Sequence, residues 1–149
     1  MELKPIGTIS SPYKRRSQAP FQGIANENES VIEIFDEFVP GLKNIEHYSH
    51  LYVLYYAHES KGYHLQTTTP WDTNLHGLFT TRSPYRPNPI LVCVVELTKV
   101  DRNKLTVKYL DAIDGSPVID IKPYFTFLDV KNNVKDGLIG KKLRFKKKE

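Results

Sequence analysis

The sequence predicts a mainly-β fold: a single domain built on a single-sheet β-barrel of antiparallel strands, with one or two short helices. Three observations predict it. Short runs rich in β-branched and aromatic residues recur along the chain, separated by turn-forming Pro, Gly, Asn and Asp. No stretch shows the i, i+3, i+4 apolar spacing of a long amphipathic helix. At 149 residues the chain fits one domain, and many short strands in that length favour a closed or nearly closed antiparallel sheet.

The elements follow in order. Residues 3–9 alternate apolar and polar side chains, and Pro5 is tolerable near a strand start or edge. Ile24 and then residues 31–35 give a second and a third β signal across the polar turn at residues 26–30. Residues 40–45 suit a turn or two of helix, with Pro40 near its first position. The run from His50 to His58 is almost continuously apolar and aromatic, which predicts a central strand buried on both faces. Residues 59–75 lack periodicity and make the longest predicted loop, a place where function concentrates. Strands follow at residues 77–81, 90–100 and 104–110, the last two joined by a hairpin turn at Asp101, Arg102 and Asn103. A short strand at residues 118–121 completes the pattern, and residues 122–125 leave the sheet. The barrel is assigned to residues 1–140 and a basic C-terminal tail to residues 141–149.

The formal charge of +4 is unevenly placed. Six of the 21 Lys and Arg residues and one acid fall in residues 141–149, so the tail carries +5 and residues 1–140 sum to −1. Such a tail strengthens phosphate contacts in a salt-dependent way, and it serves equally as a solvated end. The single cysteine, Cys93, excludes an intrachain disulfide and lies in the apolar run 90–95, which predicts a buried, unreactive thiol. Cysteine usage, with no signal pattern and no apolar run approaching ~18 residues, predicts a cytoplasmic chain without a membrane segment.

Four clusters carry candidate chemistry. The most informative is the segment GLFTTRSPYRPNPI at residues 77–90. Pro84, Pro87 and Pro89 fix φ and remove three N–H donors, so this stretch is neither helix nor central strand. A loop locked in this way holds Arg82 and Arg86 in place for an anionic ligand; an edge turn with solvated arginines would use the same residues. The second cluster is the basic loop from Lys14, Arg15 and Arg16 through a Pro20-containing turn to Gly23. The third is His58–Glu59 at the end of the central strand. The fourth spans residues 110–117, where Asp111 and Asp114 precede a Gly-Ser-Pro turn, with Asp120 beyond it. Asp before Gly commonly caps its own backbone, and that reading stands beside a chemical one.

Several chemistries find no support. The chain lacks a Gly-x-Ser-x-Gly elbow, a Gly-x-x-x-x-Gly-Lys-Ser loop and a Gly-x-Gly-x-x-Gly turn, which argues against a serine hydrolase, a P-loop phosphotransferase and a Rossmann site. Its histidines, His47, His50, His58, His64 and His76, form no His-x-x-x-His pair, so no metal is expected.

Taken together, these clusters make the chain resemble the TrmO (TsaA-like) tRNA methyltransferases. The resemblance runs from Ile6 to Tyr124 and is most specific at residues 77–90 and 111–124. It implies a β-barrel enzyme that uses S-adenosyl-L-methionine and acts as a homodimer on tRNA. The implied reaction is N6-methylation of N6-threonylcarbamoyladenosine at position 37, in the anticodon loop. Pro20, Phe21 and Gln22 match the family's cofactor-lining Pro-Arg-Gln, and His58 and Glu59 match its next cofactor contact. Arg82 matches the first arginine of the Pro-rich loop, and Val92 matches a cofactor-contacting Leu. Ile113, Asp114, Gly115 and Ser116 match the family's Leu-Asp-Gly-Thr. Asp114 or Glu59 is the candidate acceptor for the adenine N–H. Arg82 is the candidate partner of a carboxylate, while Arg86 with Lys14, Arg15 and Arg16 would meet phosphates. Tyr85, Tyr63 or Trp71 would stack on an unpaired base.

Two residues depart from the family pattern. Phe21 replaces its arginine, and Leu91 stands where a Gly usually follows Pro-Asn-Pro-Ile. The sequence also fits two other functions: a non-catalytic barrel that binds RNA or a nucleoside-like ligand, and a methyltransferase of the same fold acting on a small molecule.

Overall fold

The computed structural model describes residues 1–20, 23 and 27–143. Six strands form a closed barrel: β1 (Gly7–Ser10), β2 (Glu29–Ile34), β3 (His50–Tyr56), β6 (Ile90–Asp101), β7 (Lys104–Lys108) and β8 (Pro117–Pro123). They pair in the order β1-β2-β7-β6-β3-β8, with every pairing antiparallel. Two further strands, β4 (Gln66–Thr69) and β5 (Asp72–Gly77), form a separate hairpin. The chain therefore carries a small second sheet beside the expected single one.

Alternation decides which face of each strand fills the barrel. Leu51, Val53 and Tyr55 of β3 are buried, as are Cys93 and Val95 of β6, Leu105 and Val107 of β7, and Ile32 and Ile34 of β2. The intervening side chains of β3 and β6, including Tyr56, Val92 and Val94, face outward and stay partly exposed. The expectation that β3 is buried on both faces is thus corrected. A closed sheet has one inner face, and the aromatic run of β3 supplies its outer face as well.

Closure depends on two local features. Strand β6 pairs with β3 over residues 90–96 and with β7 over residues 96–101, and a register shift between Leu97 and Lys99 bends it around the barrel. At the seam, β1 joins β8 through Gly7 opposite Val118 and Thr8 opposite Pro117. Gly7 is required for close approach, because a Cβ there would lie 2.3 Å from the Glu33 carbonyl oxygen of β2.

Several sequence expectations are corrected. Strand β1 begins at Gly7 rather than residue 3, and Ile24 lies outside the described residues. The expected loop 59–75 contains β4 and the start of β5, whose polar strands carry no apolar alternation to read. The strand expected at residues 77–81 is a 3₁₀ turn, Leu78–Thr80. Pro40 sits inside a 3₁₀ segment, Asp36–Leu42, rather than at the start of a helix. Among the described residues the α-helices are two single turns, α1 (Thr126–Asp129) and α2 (Gly137–Gly140). Of the basic tail, residues 144–149 lie outside the described residues.

Candidate functional site

Where β3 ends and β6 begins, four loops meet around a cleft of about 470 Å³. Its walls come from the N-terminal loop before β2, the turn after β3, the Pro-rich loop before β6 and the segment before β8.

The Pro-rich loop satisfies its own backbone. Arg86 Nη1 donates to the carbonyls of Thr81 (3.1 Å) and Ser83 (2.9 Å), and its guanidinium lies over the Phe79 ring at 5.9 Å. The loop is tied to the end of β3, where Ala57 N–H donates to Pro89 O (2.8 Å) and Ser60 Oγ to Pro84 O (2.9 Å). Arg86 thus acts first as a brace inside its own loop.

The segment before β8 is clasped to the N-terminal loop. Asp114 Oδ1 accepts the Ser11 N–H at 2.9 Å, and Oδ2 accepts Lys14 Nζ at 2.9 Å. Asp114 N–H donates to Tyr13 O, and Gly115 N–H to Ile9 O, both at 2.7 Å. Gly115 has φ of 82°, a left-handed conformation that glycine adopts without steric cost. The Lys14 hydrogen bond, aided by the Ser11 amide, holds the Asp114 carboxyl below its ordinary range.

A polar cluster joins the barrel core to the cleft. Tyr55 OH donates to Asp111 Oδ1 at 2.5 Å, and Cys93 Sγ donates to the same oxygen at 2.9 Å. Burial pushes the Asp111 carboxyl up, and it also raises the Tyr55 hydroxyl and the Cys93 thiol. Across the cleft the Arg16 guanidinium lies over the Tyr85 ring at 5.2 Å, linking the N-terminal and Pro-rich loops. His58 Nε2 lies 4.0 Å from Glu59 Oε1.

Most of the site residues expected from sequence converge here. Pro20, His58, Glu59, Arg82, Val92, Ile113 and Ser116 line the cleft, as do Arg16, Tyr85 and Arg86. Asp114, Gly115, Lys14 and Arg15 do not, and both Asp114 oxygens serve the loop clasp. Tyr63 and Trp71 also stand apart from the cleft. Phe21 and Gln22 lie outside the described residues. Leu91, one of the two departures, lines the cleft directly. Sequence reasoning put Asp111 in a candidate cluster but gave it no site role, and it missed Tyr55. Asp111 reads as a turn cap beside Asp114, and Tyr55 reads as a core aromatic.

A family model described as the tRNA-methyltransferase O N-terminal domain (TrmO_N) matches residues 8–130. The chain belongs to the TrmO family. Among curated relatives, an S-adenosyl-L-methionine-binding protein of Archaeoglobus fulgidus is 49% identical over 134 residues, covering 90% of this chain and 96% of its own length. A tRNA (adenine(37)-N6)-methyltransferase of Escherichia coli is 34% identical over 139 residues, covering 86% of this chain and 59% of its own length. A crystal structure of TrmO from Pseudomonas aeruginosa superimposes with a TM-score of 0.79 at 29% identity, over 94% of this chain and 63% of that one. The chain therefore spans about three fifths of that TrmO structure and of the Escherichia coli relative, but nearly all of the Archaeoglobus relative.

Proposed function

We propose that this chain is an S-adenosyl-L-methionine-dependent tRNA methyltransferase acting at N6 of N6-threonylcarbamoyladenosine 37. The observation that carries the reading is the convergence of Arg82, His58–Glu59, Val92, Ile113 and Ser116 on one cleft, in a chain 49% identical to an S-adenosyl-L-methionine-binding protein. The cleft fits that cofactor in size and donor set. Its volume of about 470 Å³ falls within the range of small-molecule sites. Pro20, Leu91, Val92 and Ile113 offer apolar walls, Arg82 a guanidinium suited to a carboxylate, and Glu59 an acceptor for ammonium or hydroxyl groups. Phe21 and Gln22 remain cofactor-binding candidates from the family resemblance.

When bound, the cofactor supplies a methyl group already activated by its sulfonium. The chain's task is then to orient an acceptor nitrogen and exclude water, which matches a rigid, Pro-locked rim. Tyr85, capped on one side by Arg16, offers a face for an unpaired base from a single-stranded loop. Arg15, Lys14 and the basic tail supply cations for phosphates. With both Asp114 oxygens engaged, Glu59 alone of these two sequence candidates lines the cleft. The reading also includes a homodimer and a cytoplasmic site of action. No described helix is long and apolar enough to cross a membrane. Sedimentation at twice the chain mass is the expected result for the dimer, and a fully active monomer would exclude it.

Methyl transfer to purified threonine tRNA, with and without the threonylcarbamoyl group, tests the substrate by nucleoside mass spectrometry. One added methyl on the modified nucleoside alone is expected. Cofactor binding without transfer to either tRNA would instead point to a small-molecule acceptor.

A further inference from the structure

Two carboxylates line the cleft among the described residues, and their settings differ. The Glu59 side chain is 52% exposed. Asp111 is partly buried beside β3 and β6, and Tyr55 OH and Cys93 Sγ converge on its Oδ1. A partly buried carboxylate held at Oδ1 by two side-chain donors, in the wall of a substrate-sized cleft, has the geometry of a positioned base.

We propose that Asp111 is the proton acceptor of methyl transfer, with Tyr55 and Cys93 as the residues that position it. The inference rests on the methyltransferase reading above. In the balanced step the acceptor nitrogen's electron pair forms the new N–C bond. The S–C bond breaks with its pair left on sulfur, and the acceptor's proton passes to the Asp111 carboxylate and then to solvent. The charged and titratable groups facing Asp111 are Tyr13, Arg16, Tyr55 and Cys93. Burial raises its carboxyl toward the working range of a base, while Cys93, Tyr55 and Arg16 keep the ionised form accessible.

The test compares wild type with Asp111→Asn and Tyr55→Phe, each checked for folding by circular dichroism. S-adenosyl-L-methionine affinity is read by calorimetry, and the rate of methyl transfer to tRNA by single-turnover kinetics across pH. Asp111→Asn should bind the cofactor within about threefold of wild type and transfer ~10²–10⁴-fold more slowly. Tyr55→Phe removes a donor that favours the carboxylate, so the acidic limb of its pH–rate profile should move to higher pH. A wild-type transfer rate in Asp111→Asn overturns the proposal, as does a loss confined to cofactor affinity. If Asp111→Asn does not fold, the Tyr55→Phe limb decides, and an unshifted limb overturns the proposal. Wild-type protein that neither binds the cofactor nor transfers methyl removes the methyltransferase reading and this inference with it. Normal wild-type activity unaffected by Asp111→Asn removes this inference alone.

Discussion

Asp111 and Asp114 are three residues apart, yet the fold gives them different work. Asp114 holds the N-terminal loop: it accepts the Ser11 amide and Lys14, at 2.9 Å each. Asp111 turns instead toward Tyr55, whose hydroxyl lies 2.5 Å away and 56 residues earlier in the chain. Local sequence carries the first role, because an Asp before Gly commonly caps a turn. It does not carry the second, because burial of Asp111 is created by strands distant in sequence. Replacing Asp114 with Ala should cost about 1–3 kcal/mol in chemical denaturation, through the unsatisfied Ser11 amide and the broken clasp. The pH dependence has a definite sign. The folded carboxyl is depressed, so its contribution is present above the ordinary carboxylate range and is lost as pH falls through the lowered folded value. Wild type should therefore lose its stability margin over Asp114→Ala on acidification, and a margin that persists in acid would contradict the clasp.

At the scale of elements, legibility followed burial. Strands β2, β3, β6 and β7 were readable because each sends alternate apolar side chains into one core. The β4–β5 hairpin was not, since threonines and polar residues facing solvent leave no periodic signal. A polar clasp supports it instead. His76 Nε2 donates to Asp72 Oδ1 at 2.8 Å, and Lys142 Nζ to Asp72 Oδ2 at 2.6 Å. Hydrogen bonds from Lys142 and His76 lower the Asp72 carboxyl to about 2. Its contribution is present above the unfolded value of about 4 and is lost as pH falls through the folded value. The clasp joins the hairpin to the start of the basic tail, 70 residues further along, a link no local pattern announces. Asp72→Asn should raise amide exchange across Asp72–Gly77 several-fold at neutral pH. Exchange equal to wild type would show that the hairpin does not depend on the clasp.

The whole molecule joins a near-neutral body to a basic end. Residues 1–140 sum to −1 and residues 141–149 to +5, so any long-range pull on a polyanion comes mainly from the tail. Removing residues 141–149 should weaken tRNA binding and flatten its salt dependence, by up to about 0.7 in log–log slope for each single-strand phosphate no longer neutralised. An unchanged slope would assign the RNA contacts to the barrel alone. The barrel itself, its single-domain scale and its rim loops were legible from strand signals and prolines. The gathering of these loops into one cleft required the closed sheet, which brings the end of β3 beside the start of β6. The central claim is that this cleft holds S-adenosyl-L-methionine. Calorimetric titration of that cofactor into wild type and Arg82→Ala tests it most directly. Saturable one-site binding, weakened about tenfold or more by the substitution, is the expected result. No binding to well-folded wild type, or equal binding by Arg82→Ala, would contradict the assignment of this cleft.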